Sequence, residues 1–128
     1  MPFVIDTNVA IRLRDREGDI QRQIGILEGP ILLSILTWVE LENGVYRDPS
    51  SLALRRRRLD AILELLPVVS FDEKSAEAYR RIIEVVGYSR RKLLDRMIAA
   101  QAIVHRATLI TLNAADFRDI PGLDLIAW

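Results

Sequence analysis

The chain has 128 residues, 50% of them apolar and 28% charged, with 18 basic and 18 acidic side chains in balance. That suits a single domain over residues 1–128; it is too apolar for a disordered chain and too neutral for a globally basic nucleic-acid binder, so an anionic partner must meet a local patch. The absence of cysteine excludes disulfides, thiolate metal sites and cysteine nucleophiles and fits a reducing cytoplasm, while no stretch reaches the roughly 20 apolar residues of a membrane span and no charged leader precedes an apolar one.

The first element is a strand over Phe3, Val4 and Ile5, whose aromatic and β-branched side chains suit a packed, pleated surface. It runs directly into the polar triplet Asp6, Thr7, Asn8. Next, "GDIQRQIGILEG" spaces Ile20, Ile24 and Leu27 by four and three, the stripe of an amphipathic helix bounded by Gly18 and Gly29. "PILLSI" is too short for a helix and reads as a second buried strand. A capping box, Thr37 with Glu40, predicts a helix starting at Thr37, and "SLALRRRRLDAILELL" predicts another with Leu52, Leu59, Ile62 and Leu66 on one face. "PVVSF" is a third strand. Asp72 can cap the helix that follows, with Ala76, Tyr79, Ile83 and Val86 sharing a face and Gly87 closing it. "DRMIAAQAIVHRA" is a further helix, with His105 midway along it, followed by the strand "TLITL" and a fifth strand in "LDLIAW".

Continuously apolar strands alternating with helices indicate an α/β fold with a parallel sheet covered on both faces. In such sheets ligands bind beyond the carboxyl ends of the strands, near the point where strand order reverses. Asp6 ends the first strand, Asn113 and Asp116 follow "TLITL", Glu40 comes shortly after "ILLSI", and Asp95 stands near the start of its helix. All four acids are expected on one rim. At about 4 Å and an effective dielectric near 20, each ionised pair repels by roughly 4 kcal/mol. Protonation of some acids is one remedy, and a hard divalent cation, Mg²⁺ or Mn²⁺, is another. One histidine and no cysteine make a poor zinc site. A carboxylate-held ion, single or paired, suits phosphodiester hydrolysis.

The segments "VIDTN", "SILTWVELENG", "LLDRMIAAQA" and "TLITLNAADF", in that order, resemble a PIN domain from about Phe3 to Phe117, and the length resembles the toxin of a VapBC-type toxin–antitoxin pair. The resemblance implies a five-stranded parallel sheet and a metal-dependent endoribonuclease acting on structured RNA of the tRNA or rRNA class. The family's acids fall on Asp6, Glu40, Asp95 and Asp116, and Asn8, Thr111 and Asn113 match its supporting polar positions. It also implies a homodimer restrained by a VapB-type antitoxin that inserts a peptide into the active-site groove. The chain departs from the family twice, with Leu112 where many relatives carry a basic residue and with Arg96 after the third acid, where a small residue is common. Arg96 either supplies the missing charge or faces solvent.

Other readings bear on the same residues. A helix-cap role competes for Glu40, an Asx-turn for Asp6, a helix-dipole role for Asp95 and a turn role for Asp116. Glu42 lies about 200° around the helix from Glu40 and is expected in solvent. The run Arg55 to Arg58 fans around its helix and reads as solvated surface, whereas Arg90, Arg91 and Lys92, just before Asp95, are candidates for RNA phosphates together with Arg96. A haloacid-dehalogenase-type phosphatase would need a second acid where Asn8 stands, and a degenerate PIN module would bind RNA or protein without cutting.

Overall fold

The computed structural model describes Met1–Trp128. Its elements follow the order β1 (Phe3–Ile5), α1 (Thr7–Arg14), α2 (Gly18–Gly25), β2 (Ile31–Ser34), α3 (Ile35–Arg47), α4 (Leu52–Leu65), β3 (Val68–Val69), α5 (Glu73–Val86), α6 (Leu93–Val104), β4 (Thr108–Thr111) and β5 (Leu125–Ala127). The five strands form one sheet in the order β3-β2-β1-β4-β5, with every pairing parallel. The expected α/β architecture is therefore present, and β1 occupies the centre, where the order of strands reverses.

Alternation along the strands sorts the core into two halves, as side chains with period two must. Phe3 and Ile5 of β1, Leu33 and Ile110 face one way and are covered by Val9 and Ala10 of α1, Ile20 of α2, Leu41 and Val45 of α3, and Leu59 and Ile62 of α4. Val4 and Leu109 face the other way, against Ala78 and Ile82 of α5 and the alanine-rich face of α6. The small side chains of Ala99, Ala100 and Ala102, all fully buried, let α6 lie close to both α5 and the sheet.

Four local expectations need correction. A helix begins immediately after β1, with Asp6 as its N-cap, where no helix was expected. Residue Ser34 both ends β2 and caps α3 by accepting from the Leu36 amide, so the capping box at Thr37 does not form and the helix starts two residues earlier. The buried face of α5 is Ser75, Ala78 and Ile82, with Tyr79 and Val86 alongside, while Ala76 is exposed. His105 is an exposed C-cap of α6 and not an interior helical residue. Asp72 does cap α5, taking both the amide and the hydroxyl of Ser75.

Candidate active site

Asp6 is fixed by the sheet before its side chain makes any contact. Its amide donates to Ile110 O at 3.0 Å, continuing the β1–β4 ladder by one residue. The side chain is 3% exposed and divided between two tasks: Oδ1 accepts from the Val9 amide at 3.0 Å, capping α1, and Oδ2 accepts from Thr111 Oγ1 at 2.5 Å. Thr111 in turn accepts from the Asn113 amide at 2.9 Å, and Asn113 donates through Nδ2 to Asp116 Oδ2. A chain of hydrogen bonds thus runs from the acid at the end of β1 to the acid beyond β4.

Glu40 is the sixth residue of α3, and Asp95 is the third residue of α6. Both line one small depression, together with Asp6, Thr7, Asn8 and Leu94, with a volume of about 130 Å³. The loss of the capping box frees Glu40 from the structural occupation that competed for it, because Ser34 performs the capping. The sequence pattern gave no separate signal for Thr7 and Thr37. Thr37 is fully buried and shares a hydrogen bond of 3.0 Å with Thr7, tying α1 to α3 beneath the depression.

Burial, and at Asp95 the neighbouring acids as well, disfavour the charged form of two of these carboxyls. Burial pushes the Asp6 carboxyl above the ordinary value, against the opposing pull of Thr111 and the Val9 and Asn8 amides. Asp95 is raised by burial, then by the charges of Asp116 and Asp6, and Arg91 and Lys92 only partly offset them. No three Asp, Glu or His side chains stand close enough to enclose one ion. An all-oxygen donor set of this kind suits a hard cation that keeps several of its waters, such as Mg²⁺, better than a metal needing a closed protein cage.

The basic candidates divide. Arg90 and Arg91 are exposed on the segment before α6, and Arg91 Nη1 comes within 3.9 Å of Asp116 Oδ1. Lys92 is half-buried beside them. Arg96 is a correction: its side chain is 4% exposed and turned inward, donating to Gly87 O, so it neither meets an RNA backbone directly nor faces solvent. Leu112 packs against the core on the α1–α4 side of the sheet. Within the run Arg55 to Arg58, Arg55 donates to Gly44 O and Arg56 to Glu42 and Asp60, whereas Arg57 is exposed. Glu42 accordingly sits in an ion pair and accepts from Trp38, where solvent alone was expected.

A central parallel sheet that delivers an acid from β1, opposite a second acid on α6 and a third beyond β4, defines the nuclease-like class of PIN folds, and the PIN-domain family model matches residues 3–123. The chain belongs to that family, among its VapC-type members. It is 31% identical to Ribonuclease VapC1 of Rickettsia felis, an alignment covering 98% of this chain and 96% of that protein. Ribonuclease VapC2 of the same organism is 28% identical over 100% and 98% of the two chains. Among solved structures, VapBC2 of Rickettsia felis bound to a DNA fragment from its promoter superposes with a TM-score of 0.86 at 26% identity, covering 100% of this chain and 99% of that one. FitAcB of Neisseria gonorrhoeae gives 0.80 at 26% identity, covering 98% and 96%.

Proposed function

We propose that this chain is the ribonuclease toxin of a VapBC-type pair, hydrolysing phosphodiester bonds in structured RNA of the tRNA or rRNA class with the help of Mg²⁺ or Mn²⁺, in the cytoplasm. The observation that carries the reading is the Asp6, Glu40, Asp95 depression, in which two carboxyls are raised by burial and Asp95 is raised further by Asp116. Such a site is short of positive charge. Asp6, Glu40 and Asp95 would hold the ion through a few carboxylate oxygens and its retained waters, with Asp116 bearing on it from beyond β4, and the ion when bound supplies a water activated at neutral pH and neutralises phosphate oxygens. Asp6 presents its carboxylate from a fixed strand end; Thr111 and Asn113 orient Asp6 and Asp116; Asn8 offers a polar edge to the depression. Arg91 and Lys92 provide positive charge for the substrate backbone, where contacts position RNA without reading its sequence.

The likeness to VapBC2 and FitAcB supports a VapB-type antitoxin as partner, and the same reading has the chain act as a homodimer with an antitoxin peptide in the acid groove. A phosphatase using Asp6 as nucleophile is disfavoured because Asn8 stands where that chemistry places its second acid. Cleavage of bulk tRNA and rRNA, with and without EDTA, tests the reading alongside calorimetric titration of Mn²⁺. Wild type should bind the ion and cut, and Asp6→Asn should do neither; cutting that survives both EDTA and this substitution would overturn the mechanism.

A further inference from the structure

Arg96 follows Asp95 on α6, yet it points away from the rim and into the protein. Its Nη1 donates to Gly87 O at 2.6 Å, its Nη2 lies 3.9 Å from Asp119 Oδ2, and its Nε is buried with no partner. Asp119 is itself nearly half exposed. As a contribution to stability this is a poor arrangement, because a buried charge is compensated only when its geometry is good and its remaining donors are satisfied. An apolar side chain of similar length would fill the same space without leaving a donor unpaired.

What a guanidinium does here that an apolar chain cannot is span two loops. Gly87 ends α5 with a positive φ of 79° and opens the irregular segment that carries Arg90, Arg91 and Lys92. The segment's other bonds are local, from the Lys92 amide to Ser89 Oγ at 3.3 Å and from the Leu93 amide to Arg90 O at 3.3 Å. Asp119 lies in the loop that follows Asp116, the acid that Arg91 approaches. Arg96 therefore reaches one residue in each of the two segments that carry the Arg91–Asp116 pair.

We propose that Arg96 is a positioning residue: it braces the Gly87–Lys92 segment against the Asp116–Ile120 loop and so holds Arg91 and Lys92 in place over the acids. It touches neither substrate nor metal. The part of the inference that concerns RNA rests on the ribonuclease reading given above; the brace itself does not. A side chain with a planar fork suits this span, because one end can bind a carbonyl while the other faces a carboxylate.

Two measurements test it. In hydrogen exchange, Arg96→Met should speed the amides of residues 88–92 and 117–120 by roughly tenfold or more while leaving β1 and β4 protected. Unchanged exchange, or a rise spread evenly through the chain, would overturn the brace whether or not the protein acts on RNA. The second measurement is binding of labelled bulk tRNA to the Asp6→Asn chain by fluorescence anisotropy. Arg91→Ala and Arg96→Met should each weaken binding by roughly fivefold, and the pair together by clearly less than the product of the two losses, the remainder being the displaced Lys92. Additive losses, or an Arg96→Met chain that binds as tightly as its parent, would overturn the positioning role. If the Asp6→Asn chain fails to bind tRNA while the exchange result holds, the brace stands and tRNA falls as the substrate class. Should Arg96→Met not fold, Arg96→Lys carries both arms, since it keeps the charge and loses the fork.

Discussion

Thr111 Oγ1 donates to Asp6 Oδ2 at 2.5 Å, joining residues 105 apart in sequence at the centre of the sheet. The bond exists because β1 and β4 pair in parallel with Ile5 opposite Ile110, which brings the residues after each strand end side by side. The other oxygen of Asp6 caps α1. Asparagine is as good an N-cap as aspartate and keeps one acceptor oxygen. Asp6→Asn should therefore abolish Mn²⁺ binding and cleavage while leaving the melting temperature of the metal-free chain unchanged or raised. Asp6→Ala should cost about 1 kcal/mol through the lost cap. Thermal melts in EDTA decide this, and a clear fall for Asp6→Asn would show that its charge stabilises the fold.

Asp6 and Asp95 are both raised above the ordinary value of 3.8, first by burial and, for Asp95, then by neighbouring acids. An acid with a raised folded-state pKa binds its proton more tightly in the fold than in the unfolded chain. Its contribution favours the fold below 3.8 and turns against it as pH rises through the folded value. Glu42, Asp48 and Asp72 run the other way: bonds from Arg56, from the Ser50 hydroxyl and from the Ser75 amide lower them, so their contribution is present above 4.5 for Glu42 and 3.8 for the two aspartates and is lost on further acidification. In urea denaturation with EDTA, the difference in stability between wild type and Asp6→Asn/Asp95→Asn should widen against wild type as pH rises above 3.8, because the unfolded chain then gives up protons that the fold retains. A constant difference would mean that neither acid is raised.

Gln101 is fully buried on α6 and joins three elements. Ser34 Oγ donates to its Oε1, and its Nε2 donates to Val69 O at 3.2 Å. Ser34 is also the cap of α3, the helix that carries Glu40, while α6 carries Asp95. Gln101→Leu fills the space but strands the Val69 carbonyl and the Ser34 hydroxyl, at a cost of about 2 to 4 kcal/mol. Urea unfolding should show that loss, and Mn²⁺ affinity should fall with it as the two acids lose their common support. Loss of stability at unchanged affinity would separate this buried bond from the site.

Gly29 has φ of 150°, and a Cβ there would come within 1.9 Å of Met1 O. Strain at such a position is of order 1 to 3 kcal/mol before the clash is counted. Gly29→Ala should lower the melting temperature sharply, whereas alanine at Gly25, which has open space around it, should not. Equal effects at the two positions would remove the steric argument.

Much of this molecule was legible in its residues, for reasons that differ by element. The strands announced themselves because a parallel sheet covered on both faces needs apolar, β-branched runs such as Phe3–Ile5 and the Leu109–Ile110 centre of β4, and these are short and conspicuous. Helix α1 did not, because Thr7, Asn8, Val9 and Ile11 are indifferent helix formers and its start signal was Asp6, a residue already claimed for the rim. The start of α3 was misplaced because Ser34 belongs to strand and helix at once, leaving no connection for a pattern to mark. Arg96 was unreadable for a different reason: nothing in sequence tells whether an arginine beside an acid turns out to the rim or in toward a carbonyl nine residues back. The shared depression of Asp6, Glu40 and Asp95 followed from topology alone, but the hydrogen-bond chain through Thr111 and Asn113 to Asp116 depends on side-chain directions.

The division of labour within the Asp6 carboxyl has a practical consequence. One oxygen accepts from the helix and the other from the threonine; asparagine keeps the first acceptor and turns its Nδ2 toward the threonine oxygen, which can accept as well as donate. Charge and shape are therefore separable at this position. A chain silenced at Asp6 by asparagine should keep the outline of the working protein, and can serve as a decoy that engages the same partners and leaves them uncut.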